Sequence, residues 1–183
     1  MSMPIDVAPQ TDLRYPVGRF QPIADPTPAD REAWVTEIER LPANLRDAVA
    51  GLNDEQLDTR YRPGGWTVRQ VVHHLADSHL NCYQRYRLAL TENAPVIKPY
   101  NEAAWAELPD AKSAPIEPSL SLLAGLHTRW VFLLRTLSEA DRQLTFKHPE
   151  RGEMRLDFTT GLYAWHCRHH LAHIHNLRER QGW

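Results

Sequence analysis

Apolar residues recur at helical spacing in four long segments of the chain. The first segment begins near Pro28, with Thr27 as a plausible N-cap, and its apolar residues follow one another at steps of three or four. This stripe consists of Trp34, Ile38, Leu41, Leu45, Val49 and Leu52. The pattern predicts an amphipathic helix that buries one face.

The second segment carries a clear start signal. Thr67 and Gln70 form a capping-box pair, so we expect this helix to begin at residues 66–68 and to end near Glu92, before Pro95. Its buried side is formed by Val68, Val71, Val72, Leu75, Tyr86 and Leu90. The third segment begins after Pro118.

The remaining segments complete the fold prediction. Residues 93–118 form a long, proline-containing connection, and residues 144–157 are typical of a small hairpin. The fourth helix should run from about Thr159 to Arg180. The sequence therefore predicts an all-α four-helix bundle with one long crossover connection and a small β-hairpin before the last helix.

The N-terminal segment differs from the rest of the chain in its proline content. Residues 1–26 contain five prolines, which predicts an extended N-terminal arm, while residues 27–183 read as a single domain. Four apolar residues could anchor the arm across a surface groove: Tyr15, Val17, Phe20 and Ile23.

Composition excludes several classes of function. The net charge is −2 and no basic stripe is present, so nucleic-acid binding has no support. No apolar run approaches the roughly 20 residues of a membrane span, and the polar N-terminus does not resemble a signal peptide. We therefore expect a cytoplasmic protein whose two cysteines, Cys82 and Cys167, are reduced.

Histidines provide the candidate chemistry. Half of the ten histidines lie within residues 165–175, and His166 and His170 are four residues apart, which places both rings on one face of a helix. Two imidazoles from one helical turn, with a third from elsewhere, can hold zinc or nickel at an open site. The second helix carries further histidines at residues 73–79.

From spacing alone the ligand set stays open. His169 and His173 form a rival pair four residues apart, and His127 lies on the apolar stripe of the third helix, as a core histidine would. His79 reads as a packed or surface residue, and Cys167 as a packed small side chain.

Two motifs resemble those of the DinB/YfiT-like metalloproteins. The first is residues 64–78, GGWTVRQVVHHLADS, and the second is residues 163–174, YAWHCRHHLAHI. The resemblance runs over roughly residues 14–183 and implies a four-helix bundle, usually dimeric, with a divalent metal held by three histidines. It assigns that role to His74, His166 and His170.

A carboxylate three residues after His74 is a further candidate, and the resemblance implies a function. Asp77 is a candidate to orient His74 or a metal-bound water, with a solvated surface acid as an equal alternative. The resemblance implies a metal-dependent hydrolase, in which zinc or nickel activates a water to attack a small-molecule substrate.

The expected reaction is hydrolysis by that activated water. The first alternative is a metal-dependent transferase that joins a low-molecular-weight thiol such as bacillithiol to an electrophile, because the same three imidazoles would present a thiolate. The second alternative is a non-enzymatic binding module in which the metal is structural and a fourth ligand, His127 or Cys167, closes the site.

Overall fold

A computed structural model describes residues 12–183, and residues 1–11 lie outside the description. Its elements, in chain order, are α1 (Pro28–Val49), α2 (Asp54–Leu57), α3 (Val68–Thr91), α4 (Glu102–Trp105), α5 (Pro109–Ser113), α6 (Glu117–Thr136), α7 (Glu139–Gln143), β1 (Thr145–His148), β2 (Gly152–Arg155) and α8 (Leu156–Gln181). The two strands pair antiparallel, with Thr145 opposite Arg155. This architecture confirms the predicted bundle and hairpin.

Four long helices, α1, α3, α6 and α8, form the bundle. Helix α1 packs against α6 and α8, and α3 packs against α6 and, more loosely, against α8. The helices enclose one apolar core, whose fully buried members include Ile38, Leu75, Trp130 and Ile174. The looser seam between α3 and α8 leaves room for a site between them.

Local sequence signals set the starts of the first two long helices. Thr27 and Asp30 form a capping box at α1, and Thr67 and Gln70 form one at α3, as predicted for the latter. Gln70 also donates through Nε2 to the carbonyl oxygen of Ala106 at 2.7 Å, which ties the long connection to α3.

The last helix begins three residues earlier than the predicted start at Thr159. Strand β2 leads directly into α8 at Leu156, whose carbonyl oxygen accepts a hydrogen bond from the buried hydroxyl of Tyr86. Asp157 lies in the first turn, where a carboxylate is favoured by the helix dipole, and it pairs with Arg31 of α1. These contacts with distant residues explain the early start.

Residues 12–26 lie along the bundle, but only some of the predicted anchors are buried against it. The ring of Phe20 packs edge-on against Phe158, and the ring of Tyr15 lies 6.0 Å from that of His169. Val17 and Ile23 are 41% and 45% exposed, so their prediction as anchors was wrong. Within residues 12–183, no helix is long and apolar enough to cross a membrane.

Candidate metal centre

Three histidines from two helices meet in the seam between α3 and α8. His74 comes from α3, and His166 and His170 come from successive turns of α8. One nitrogen from each ring lies within 4.8 Å of the other two, and Nε2 of His74 is 3.3 Å from Nε2 of His166. Two nitrogens bound tetrahedrally to one ion at about 2.1 Å would be about 3.4 Å apart, so this spacing fits a shared divalent cation.

Burial keeps these rings in the form that binds a metal. His74 is 5% exposed and His170 is 6% exposed. Loss of hydration lowers the pKa of His74 to about 3 and holds the pKa values of His166 and His170 well below the ordinary value. At neutral pH each ring is therefore uncharged and has a lone pair to donate.

A second cluster shares one member with the first. His169, His170 and His173 also bring one nitrogen each within 4.8 Å of one another, so the rival pair is close to the first cluster. His173 stacks on the ring of Tyr61 at 3.9 Å and is 3% exposed. All three of its histidines come from α8, whereas the first cluster links two helices.

The first cluster faces a large cavity. The cavity measures about 940 Å³, near the upper end of the range for small-molecule sites. Its lining includes all three histidines of the first cluster, the aromatic ring of Trp66 beside His74, and the guanidinium groups of Arg85 and Arg151. A reactant of substantial size could therefore reach the histidines.

A chain of further histidines lies behind the first cluster. Nδ1 of His166 is 3.2 Å from Nε2 of His79, and Nδ1 of His79 is 2.9 Å from Nε2 of His127. Nδ1 of His127 donates to the carbonyl oxygen of Ile38 at 2.6 Å. Spacing suggested that His79 was packed or on the surface and that His127 was a core residue, but it missed their connection to each other.

The other candidates from the sequence lie apart from the cluster. Asp77 is half-buried, and among the described residues it neither lines the cavity nor hydrogen-bonds to His74. Burial, together with the charge of Asp110, raises the pKa of Asp77 to about 6. Cys167 is fully buried, which raises the pKa of its thiol. Neither Cys167 nor His127 joins the first cluster within residues 12–183.

Comparison with known proteins relates this chain to a family. The sequence profile of the DinB superfamily matches residues 37–174. A protein of Bacillus mycoides is 56% identical over 172 residues, covering 94% of this chain and 99% of its own, and one of Oceanobacillus iheyensis is 56% identical over 170 residues, covering 93% and 98%. Both carry the provisional name of metal-dependent hydrolase.

A solved structure shares the fold. YfiT from Bacillus subtilis, described as a probable metal-dependent hydrolase with an unusual four-helix bundle topology, superposes with a TM-score of 0.91 at 49% identity. The match covers 93% of this chain and 98% of that one.

Proposed function

Because the chain belongs to the DinB superfamily, we propose that it is a metal-dependent hydrolase with His74, His166 and His170 as the metal ligands. The observation that carries the proposal is a cluster of three neutral imidazoles, two buried and one half-buried, at the wall of a large cavity. A zinc or nickel ion bound there would act as a Lewis acid and lower the pKa of a coordinated water towards about 7.

The chain's own residues would prepare this chemistry. The three imidazoles would hold the ion without neutralising its charge, because none carries a negative charge. The ring of Trp66 packs beside the cluster, 4.6 Å from that of His74. Asp77 stays the candidate carboxylate to orient His74 or a metal-bound water.

The number of protein ligands argues against a purely structural metal. Structural zinc sites usually have four protein ligands, whereas catalytic sites have three and an open position. Within the described residues, no fourth histidine, cysteine or carboxylate joins the first cluster. This favours a reactive site over a non-enzymatic binding module.

One observation favours a second candidate, a thiol S-transferase. Arg85 is half-buried, lines the cavity and forms no ion pair with any described carboxylate. A half-buried cation that lines the cavity and has no ion-pair partner favours an anionic reactant, as a low-molecular-weight thiol with carboxylates would be. In this reaction the thiol sulfur bonds to an electrophilic carbon, whose leaving group departs.

Metal analysis followed by an activity screen tests these proposals. We expect one zinc or nickel per chain, and we expect His166→Ala to lose both the metal and turnover of ester, amide or phosphoester substrates. The exposed His175 on the same helix provides a matched control, and His175→Ala should keep both. Turnover by metal-free His166→Ala would refute the proposed mechanism.

Two further experiments separate the alternatives. Loss of the metal in His173→Ala, but not in His74→Ala, would assign the ion to the second cluster. A product formed only with bacillithiol, mycothiol or glutathione, together with a generic electrophile, would favour the transferase. From the family resemblance we also propose a homodimer, which light scattering of the metal-loaded protein would test.

A further inference from the structure

We propose that His79 and His127 are positioning residues that fix the tautomer and orientation of the His166 ring. The inference rests on the proposed metal site. It assigns a role to two buried histidines that the proposed hydrolysis does not use. A series of hydrogen bonds, called here the histidine chain, runs from the backbone carbonyl of Ile38 through His127 and His79 to His166.

The carbonyl of Ile38 determines which ring donates in each hydrogen bond of the histidine chain. A carbonyl oxygen can only accept a hydrogen bond, so Nδ1 of His127, at 2.6 Å, must carry a proton. In the neutral ring, Nε2 of His127 then has a lone pair. Because His79 Nδ1 lies 2.9 Å from that nitrogen, His79 must donate to it.

The same logic passes from His79 to the proposed ligand. With its proton on Nδ1, neutral His79 presents a lone pair on Nε2, so Nδ1 of His166 must donate across 3.2 Å. His166 is then left with a lone pair on Nε2. This is the nitrogen that lies 3.3 Å from Nε2 of His74, on the side of the proposed metal.

Packing holds the rings of the histidine chain in place. His79 is fully buried and His127 is 2% exposed. The ring of Trp130 lies edge-on to both, at 5.7 and 5.8 Å. Burial disfavours a charged imidazole, which keeps the rings neutral and makes a single direction of donation self-consistent.

The histidine chain crosses the whole bundle. Ile38 lies on α1, His127 on α6, His79 on α3 and His166 on α8, so one line of hydrogen bonds touches all four long helices. Histidine ligands of metals usually donate their second nitrogen directly to a carboxylate or carbonyl. Here two further rings separate the ligand from that carbonyl.

Zinc affinity, measured by competition with a chromophoric chelator, tests the proposal. We expect His79→Leu to weaken zinc binding about 10- to 100-fold, as is usual for lost partners of ligands. His79→Gln, whose amide oxygen can accept from His166, should recover much of the affinity. His73→Leu is the matched control, because His73 lies on the same helix and contacts Ser119 and Ala114 instead.

The outcomes separate this proposal from the proposed function. If wild-type protein does not bind zinc, the metal site itself fails. If wild type binds zinc and His79→Leu binds it equally tightly, the positioning role fails. An equal loss of affinity in His73→Leu would attribute the effect to general destabilisation and would also overturn the proposal.

A second measurement needs no variant. Long-range ¹H–¹⁵N spectra of the zinc-loaded protein report which nitrogen of each ring carries the proton. We expect the proton on Nδ1 of His127, His79 and His166. A proton on Nε2 of His79 or His127 would contradict the proposed direction of the chain.

Discussion

The buried carboxylate of Asp157 connects the start of α8 to α1. Its oxygens accept hydrogen bonds from Nε and Nη2 of Arg31 at 3.0–3.1 Å. The side chain of Asp157 is 2% exposed and that of Arg31 is 14% exposed. Arg31 also pairs with Glu139, which is 74% exposed. Loss of either member would leave the other charge partly buried without a compensating partner, so we expect breaking this pair to destabilise the fold.

Asp157→Asn tests this contribution, because it removes the charge and preserves the shape. Removing one partner of a buried ion pair costs about 3–5 kcal/mol, because the remaining charge is left without compensation. Arg31 keeps some contact with solvent and with Glu139, so we expect the lower end of that range, about 3 kcal/mol.

An exposed pair of similar geometry provides the control. Glu39 accepts from Nη1 and Nη2 of Arg135 at 2.7 and 2.8 Å, but these side chains are 47% and 42% exposed. Solvent screens such a pair, so Glu39→Gln should change the free energy of unfolding far less. Urea titration followed by far-UV circular dichroism, at equal zinc concentration, measures both variants. Equal losses would refute the argument that burial decides the contribution.

Two other predictions concern stability. Gly161→Ala would place its methyl group 3.0–3.2 Å from the ring of Trp34 and should lower the thermal midpoint, whereas Gly125→Ala, with nothing within 4 Å, should raise it by adding a better helix former. A midpoint that rises in both variants would show that the ring yields freely. Burial raises the pKa of Asp77 from 3.8 to about 6, so the folded state holds a proton that the unfolded state releases, and stability falls as pH rises between about 4 and 6. The stability gained by Asp77→Asn should therefore grow over that range and level off above it. A gain that does not depend on pH would contradict this assignment.

Much of the fold followed from short-range patterns. The capping box of Thr67 and Gln70 predicted the start of α3, and the turn at residues 149–152 between two short segments of mixed apolar and polar residues predicted the hairpin. The start of α8 was placed three residues late, at Thr159, because the contacts that favour Leu156 as its first residue come from Tyr86 and Arg31, far away in sequence.

The candidate site, like the fold, could be predicted only in part from the sequence. The two motifs pointed to His74, His166 and His170, and the structure brings those rings together, while their role as ligands stays a prediction. The partners behind them could not be found from spacing. His79 and His127 are 48 residues apart, and the sequence indicated only a packed or surface residue for the first and a core residue for the second.

Helix periodicity, end signals and histidine spacing act within a few residues, so they can be read directly from the chain. The hydrogen bond from His127 to Ile38, the ion pair of Arg31 with Asp157 and the cavity beside His74 depend on how the four long helices pack. Those arrangements involve residues about 90 or more positions apart, whose meeting depends on the angles and distances between helices. Packing therefore determines which nitrogen of each histidine faces its neighbour.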